Sequence, residues 1–242
     1  MDIYAVPKIA ELIKGNPYVG RGIVLGKSQD GEKAVAAYFI MGRSENSRNR
    51  IFTEREGSLY TAPFDPSKVE DPSLIIYAAM KKAGNKLIVT NGDQTDTVLC
   101  GLQNGLSFSE SLKSRCFEPD APHFTPRISG MITFKDNDCS YEMSILKSAD
   151  RQGSACNRFT FSYAATPGVG HFLHTYMGDG CPLPSFCGEP CRVEIPDDPD
   201  GFTDGLWNAL HPENRISLYV RYVSLLTGKE ENRLINKNQR GL

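Results

Sequence analysis

The distribution of apolar and polar positions predicts a strand-rich chain with a few short helices. Ala34-Val35-Ala36-Ala37-Tyr38-Phe39-Ile40-Met41 is apolar throughout and reads as a strand buried on both faces. Before it, Tyr18 to Gly26 reads as a glycine-rich strand, and the Asp30-Gly31 turn joins the two into a hairpin. Lys86 to Thr90 is extended, and Gly84-Asn85 is a two-residue hairpin signal that pairs it with a strand over Leu74 to Lys82. Asp71-Pro72 offers the competing start of a helix there; the hairpin signal favours the strand. Further strands are expected over His123 to Phe134, Ser140 to Leu146 and Asn157 to Ala165. From Arg215 to Leu226 the pattern alternates, placing Ile216, Leu218, Val220 and Tyr222 on one side and Ser217, Tyr219, Arg221 and Val223 on the other. Helical spacing marks Pro7 to Lys14, a helix opening near Thr97, Ser109 to Cys116, and Phe202 to Leu210. Polar residues after Glu54 lead into a Pro63 to Pro66 linker, residues 166–199 read as one long loop, and the polar tail after Gly228 is expected to fray.

At 242 residues the chain has enough apolar sequence for one core, so residues 1–227 are expected to form a single catalytic domain, followed by the tail 228–242. The net charge of −2 argues against a nucleic-acid platform, which carries a basic excess over a whole face. Neither an export signal nor an apolar run of about 18 residues is evident, so a cytoplasmic protein with no membrane partner is expected. Seven cysteines without an export signal are expected to be free thiols. Cys181, Cys187 and Cys191 lie near His171 and His174 in sequence, but their spacing does not match a zinc pattern, and no metal is expected.

The candidate chemistry sits at strand ends. Gly42-Arg43-Ser44-Glu45-Asn46-Ser47-Arg48-Asn49-Arg50 follows the buried strand directly and is rich in hydrogen-bond donors with a single acidic residue. Arginine suits phosphate because its planar fork donates paired hydrogen bonds and keeps its charge. Arg21 lies between two glycines, where another backbone or a ligand can approach closely. Asn91-Gly92-Asp93-Gln94-Thr95-Asp96 forms a strand-to-helix turn whose free amides can hold an anion; Asp93 or Thr95 serves equally well as a plain helix cap. Asn91, Gln94 and Asp96 are placed to read the amide edge of a heterocycle.

Tyr18-Val19-Gly20-Arg21, Gly42-Arg43-Ser44 through Asn49-Arg50, Val89 through Asp96, and Thr125-Pro126-Arg127-Ile128 occur here in an order that resembles the archaeal-type inosine monophosphate (IMP) cyclohydrolases. The His171 to Cys191 region is similar to longer bacterial members. The resemblance implies an α+β fold, a four-layer α/β/β/α sandwich of two antiparallel sheets like that of N-terminal-nucleophile hydrolases, but Met1-Asp2 supplies no such nucleophile. It implies closure of 5-formamidoimidazole-4-carboxamide ribonucleotide to IMP with loss of water, with no cofactor. On that logic Arg21, Arg43, Arg50 and Arg127 compete for the phosphate and the developing oxyanion. Asn91 and Asp96 orient the carboxamide, Tyr38 is a candidate proton donor, and Asn49, Gln94 and Thr125 complete the substrate contacts. Tyr38 fits a packed core position at least as well. His123, His171 and His174 rank as lid or structural residues. A nucleotide-binding protein without chemistry, or an amidohydrolase using Cys100 or Cys156, are the rival functions, and a homo-oligomer stays open.

Overall fold

The computed structural model describes residues 2, 4–69 and 76–238. Two antiparallel sheets make up an α+β fold with few helices. The first sheet runs β11 (Cys191–Glu194), β10 (Val169–His174), β1 (Arg21–Lys27), β2 (Lys33–Met41), β12 (Arg215–Ser224), β13 (Glu230–Asn236). The second is a meander in chain order: β3 (Ile51–Arg55), β4 (Ser58–Ala62), β5 (Ala78–Ala83), β6 (Lys86–Thr90), β7 (Arg127–Lys135), β8 (Asp138–Ser148), β9 (Cys156–Ala164).

The apolar run of β2 has a direct cause. Ala36, Tyr38 and Ile40 join residues of both sheets, such as Ile23, Val89, Ile132 and Met143, in the core between them. Val35, Ala37, Phe39 and Met41 pack on the other side with α1 (Ile9–Ile13) and α5 (Pro199–Ala209). A strand that feeds two cores has no polar face. The helix α5 starts cleanly because Asp198 accepts hydrogen bonds from the backbone N–H groups of Asp200 and Gly201 and Pro199 occupies the first turn. On the outer side of the second sheet, Ile88 and Met131 pack against Val98 of α3 (Gln94–Gln103), Phe108 of α4 (Phe108–Ser111) and Leu112.

Several sequence expectations change. The proposed loop 166–199 contains β10 and β11, so His171 and His174 stand on a strand. The tail contains β13, which pairs with β12 from Ser217↔Asn236 to Val223↔Glu230; its polar pattern suits an edge strand. The polar stretch after Glu54 is a hairpin, β3–β4, made by Glu56-Gly57, both with positive φ. In β12 a register shift between Arg215 and Ser217 turns Ile216 into the inter-sheet core while Leu218, Val220 and Tyr222 face the helices. The proposed strand over Leu74 to Lys82 lies partly outside the described residues, and its described part is β5 from Ala78 onward.

Candidate active site

One rim of the sandwich gathers the start of β1, the turn before β3, the segment before β5, the end of β6, the start of β7, the segment following β10, and the loop that precedes β7. Gly20 takes a positive φ of 77°, and a Cβ there would lie 2.1 Å from Thr175 Oγ1. That close approach lets Thr175 Oγ1 accept the Arg21 backbone N–H at 3.1 Å, which fixes Arg21 at the strand mouth.

Arg21 and Arg50 are both buried, and both have an Nε without a hydrogen-bond partner among the described residues. Burial opposes the charge on Arg21, but Glu118 and the phenols of Tyr18, Tyr176 and Tyr77 outweigh it and raise its pKa above the ordinary value. Arg50 is held below the ordinary value, first by burial and then by repulsion from Arg21. Two guanidiniums that repel one another in a buried place leave room for an added negative charge. Glu118 is the nearby acid; burial raises its pKa against the pull of Arg21, Arg127 and Arg50. Tyr38 is fully buried, and its hydroxyl meets that of Tyr77 at 2.9 Å. Burial raises both phenols, opposed by the two arginines.

The remaining candidates divide into supports, rim residues and outliers. Arg127 Nη1 donates to Asp93 Oδ1 and Gln94 Oε1, each at 2.8 Å. Gly92 makes the room for it, since a Cβ there would lie 2.5 Å from that nitrogen. Asn91 is spent on structure: its Oδ1 accepts from the Ile128 N–H and Gln94 Nε2, and its Nδ2 donates to Pro126 O. It is therefore not free to orient a carboxamide. Asn49 likewise clamps Asp65 through two bonds, at 2.8 and 2.7 Å. Thr125 Oγ1 links the Tyr176 hydroxyl at 2.6 Å to Asp120. Arg43 stands at the rim, 5.1 Å over the Tyr18 ring and paired with Asp179. Asp96 is not in the cluster; it lies on the exposed face of α3 and pairs with Lys81 at 2.8 Å. His123 Nδ1 accepts the Leu183 N–H at 3.1 Å, and His174 Nδ1 contacts Tyr176 O at 2.8 Å, so both brace loops. His171 stacks on Tyr163.

Tyr77, Glu118, Tyr176 and Tyr18 are the contributors that sequence reasoning missed. Tyr18 lies inside one of the quoted motifs, whereas Glu118 is one acid in the run Phe117-Glu118-Pro119-Asp120 and carries no local signal. Among the described residues no group of His, Cys, Asp and Glu is arranged to hold a metal ion, and no helix is long and apolar enough to cross a membrane. All seven cysteines are free.

A two-sheet sandwich with two buried guanidiniums, phenols and a carboxyl at one rim has the groups to hold a small anionic molecule and exchange protons with it. The family model described as IMP cyclohydrolase-like protein matches residues 18–229, and the chain belongs to that family. Among curated proteins, the IMP cyclohydrolase of Methanopyrus kandleri is 36% identical over 115 residues, covering 46% of this chain and 57% of that protein. The IMP cyclohydrolases of Methanothrix thermoacetophila and Methanococcus aeolicus are 31% and 30% identical, each covering 48% of this chain and 58% of the relative. The chain thus spans little more than half the length of the curated relatives it matches.

Proposed function

We propose that the protein is an IMP cyclohydrolase that closes 5-formamidoimidazole-4-carboxamide ribonucleotide to IMP with loss of water. The observation that carries this reading is the pair of buried, adjacent guanidiniums of Arg21 and Arg50 with unpartnered Nε atoms; the family supplies the substrate class. The carboxamide nitrogen attacks the formyl carbon within one molecule, so holding that geometry accounts for much of the acceleration. Arg21 and Arg50 stabilise the charge that develops on the formyl oxygen, because Glu118, Tyr38 and Tyr77 face the same guanidiniums. Glu118, whose carboxyl holds a proton more readily than usual, carries a proton from the carboxamide nitrogen to the formyl oxygen; loss of the formamido N–H proton as the C=N bond forms and the C–O bond breaks supplies the second, so that oxygen leaves as water. Tyr38 and Tyr77 hold that oxygen through their shared hydroxyl pair. Arg43, at the rim, receives the 5'-phosphate, and Arg127 acts through Asp93 and Gln94 as a positioning residue. The helices on the outer face of each sheet support a layer order like that of N-terminal-nucleophile hydrolases, in one catalytic domain that takes in β13 rather than ending at residue 227.

The test is a spectrophotometric assay with the formamido ribonucleotide and no added folate or metal, run on the wild type and on Arg50→Met. Turnover by the wild type, with kcat reduced more than KM is raised in the variant, supports the assignment. Substrate left unchanged over hours by a protein that still binds IMP would leave a nucleotide-binding protein without chemistry.

A further inference from the structure

The loop between α4 and β7 carries Glu118 into the site, and it is held by few contacts. The Glu118 N–H donates to Thr125 O at 2.9 Å, Asp120 bonds Thr125, and Arg115 pairs with Asp93. Besides the His123–Leu183 and Thr125–Tyr176 bonds, a further anchor is the edge strand β9. There Arg158 Nη2 donates to Arg115 O at 2.7 Å and Nη1 to Cys156 O at 3.1 Å. At this junction the Cys116 thiol lies within hydrogen-bonding reach of the Cys156 thiol, and the Phe117 N–H points at the Cys156 sulfur. Cys116 is exposed and Cys156 half-buried. The two thiols are therefore adjacent and reachable from solvent; burial and the neighbouring Cys116 thiol raise the Cys156 pKa against the pull of Arg158 and the Phe117 N–H, so exchange begins at the exposed Cys116.

We propose that Cys116 and Cys156 form a redox-modification site, closed into one protein disulfide by a low-molecular-weight disulfide oxidant, which braces the loop carrying Glu118. The exposed Cys116 thiolate attacks one sulfur of the oxidant, breaking its S–S bond and releasing the first small thiol. The Cys156 thiolate then attacks the Cys116 sulfur of the mixed disulfide and releases the second. Two electrons and two protons pass from the cysteine pair to the oxidant, which leaves as two thiols; a reductant reverses the exchange. The bond closes a loop of about 40 residues and ties α4–β7 to β9, so it restricts the loop's excursions without requiring its displacement. The other cysteines do not share this position: Cys139 is buried, and Cys100 lies on α3 with Asn104 as its neighbour.

The full chain is treated with oxidised glutathione, and free thiols, cross-linked peptides and amide hydrogen exchange are measured. Expected are a Cys116–Cys156 cross-linked peptide and exchange over residues 115–125 slowed by about threefold or more, both reversed by dithiothreitol. Cys116→Ser and Cys156→Ser each abolish that cross-link and leave exchange over 115–125 unchanged by the oxidant. Separate adducts on Cys116 and Cys156 in the wild type, a cross-link elsewhere, or unchanged exchange over 115–125 overturns the proposal. None of these measurements depends on the enzymatic activity.

Discussion

Two buried arginine environments in this molecule are built in opposite ways. Arg221 on β12 is fully buried, and its donors are all engaged: Nε meets Tyr219 Oη and Asn232 Oδ1, Nη1 meets Gly57 O, and Nη2 meets Glu54 Oε1 at 3.0 Å and Tyr219 Oη at 2.6 Å. Arg21 and Arg50 are nearly as deep, but they face each other with Nε atoms unsatisfied. A buried charge persists only if partners or a ligand compensate it. Arg221 has its partners within the chain and ties the β3–β4 hairpin to the first sheet. The pair at the opposite rim has Glu118 and the phenols of Tyr18, Tyr77 and Tyr176 nearby, and that carboxyl is itself reluctant to ionise. On the proposed function, the difference separates an arginine that holds the fold from arginines that bind substrate.

The contrast is broken most directly by removing one arginine from each environment. Arg221→Met leaves Glu54 and Tyr219 without their partner and is expected to cost about 3–5 kcal/mol in chemical denaturation. Arg21→Met is expected to lower kcat/KM by about two to three orders of magnitude, or about 3–4 kcal/mol. Arg50→Met, which removes the guanidinium whose charge burial and Arg21 disfavour, is expected to leave stability unchanged or raise it. Equal loss of stability in Arg221→Met and Arg50→Met would erase the distinction.

His174 sharpens the same point, since it is a buried base that avoids charge altogether. Burial lowers its pKa from 6.5 to about 4. Above pH 6.5 both folded and unfolded chains keep the ring neutral and its contribution is fully present. Between pH 6.5 and 4 the unfolded chain takes up a proton that the native ring refuses, so stability falls by about 3 kcal/mol as the pH drops. His174→Phe is expected to flatten that slope in denaturation curves recorded at successive pH values.

The smallest effect belongs to Asp96, whose side chain is 64% exposed beside Lys81. Asp96→Asn is expected to change stability by less than about 0.5 kcal/mol and to leave turnover unaltered. A large loss of activity would return Asp96 to the site.

The strands of both sheets were largely legible because their causes are local. The apolar run of β2, the Asp30-Gly31 turn and the Gly84-Asn85 turn each fix an element by short-range chemistry. The β3–β4 hairpin, β10, β11 and β13 were missed because their polar, glycine-rich or short segments are strands only by virtue of the neighbour they pair with. The strand-end segments singled out in the sequence meet at one rim of the structure. Within them the sequence could not tell Asn91 and Asn49, consumed by backbone groups, from Arg50, left open.

By itself, then, the sequence determined the strands whose cause is local and which strand ends are rich in cationic donors, since periodicity and side-chain chemistry are properties of neighbouring residues. Only the tertiary structure decided which arginines have their charge answered. Compensation of a buried charge depends on groups such as Glu54, Glu118 and Tyr77 that are distant along the chain and meet only when the two sheets close over their common core.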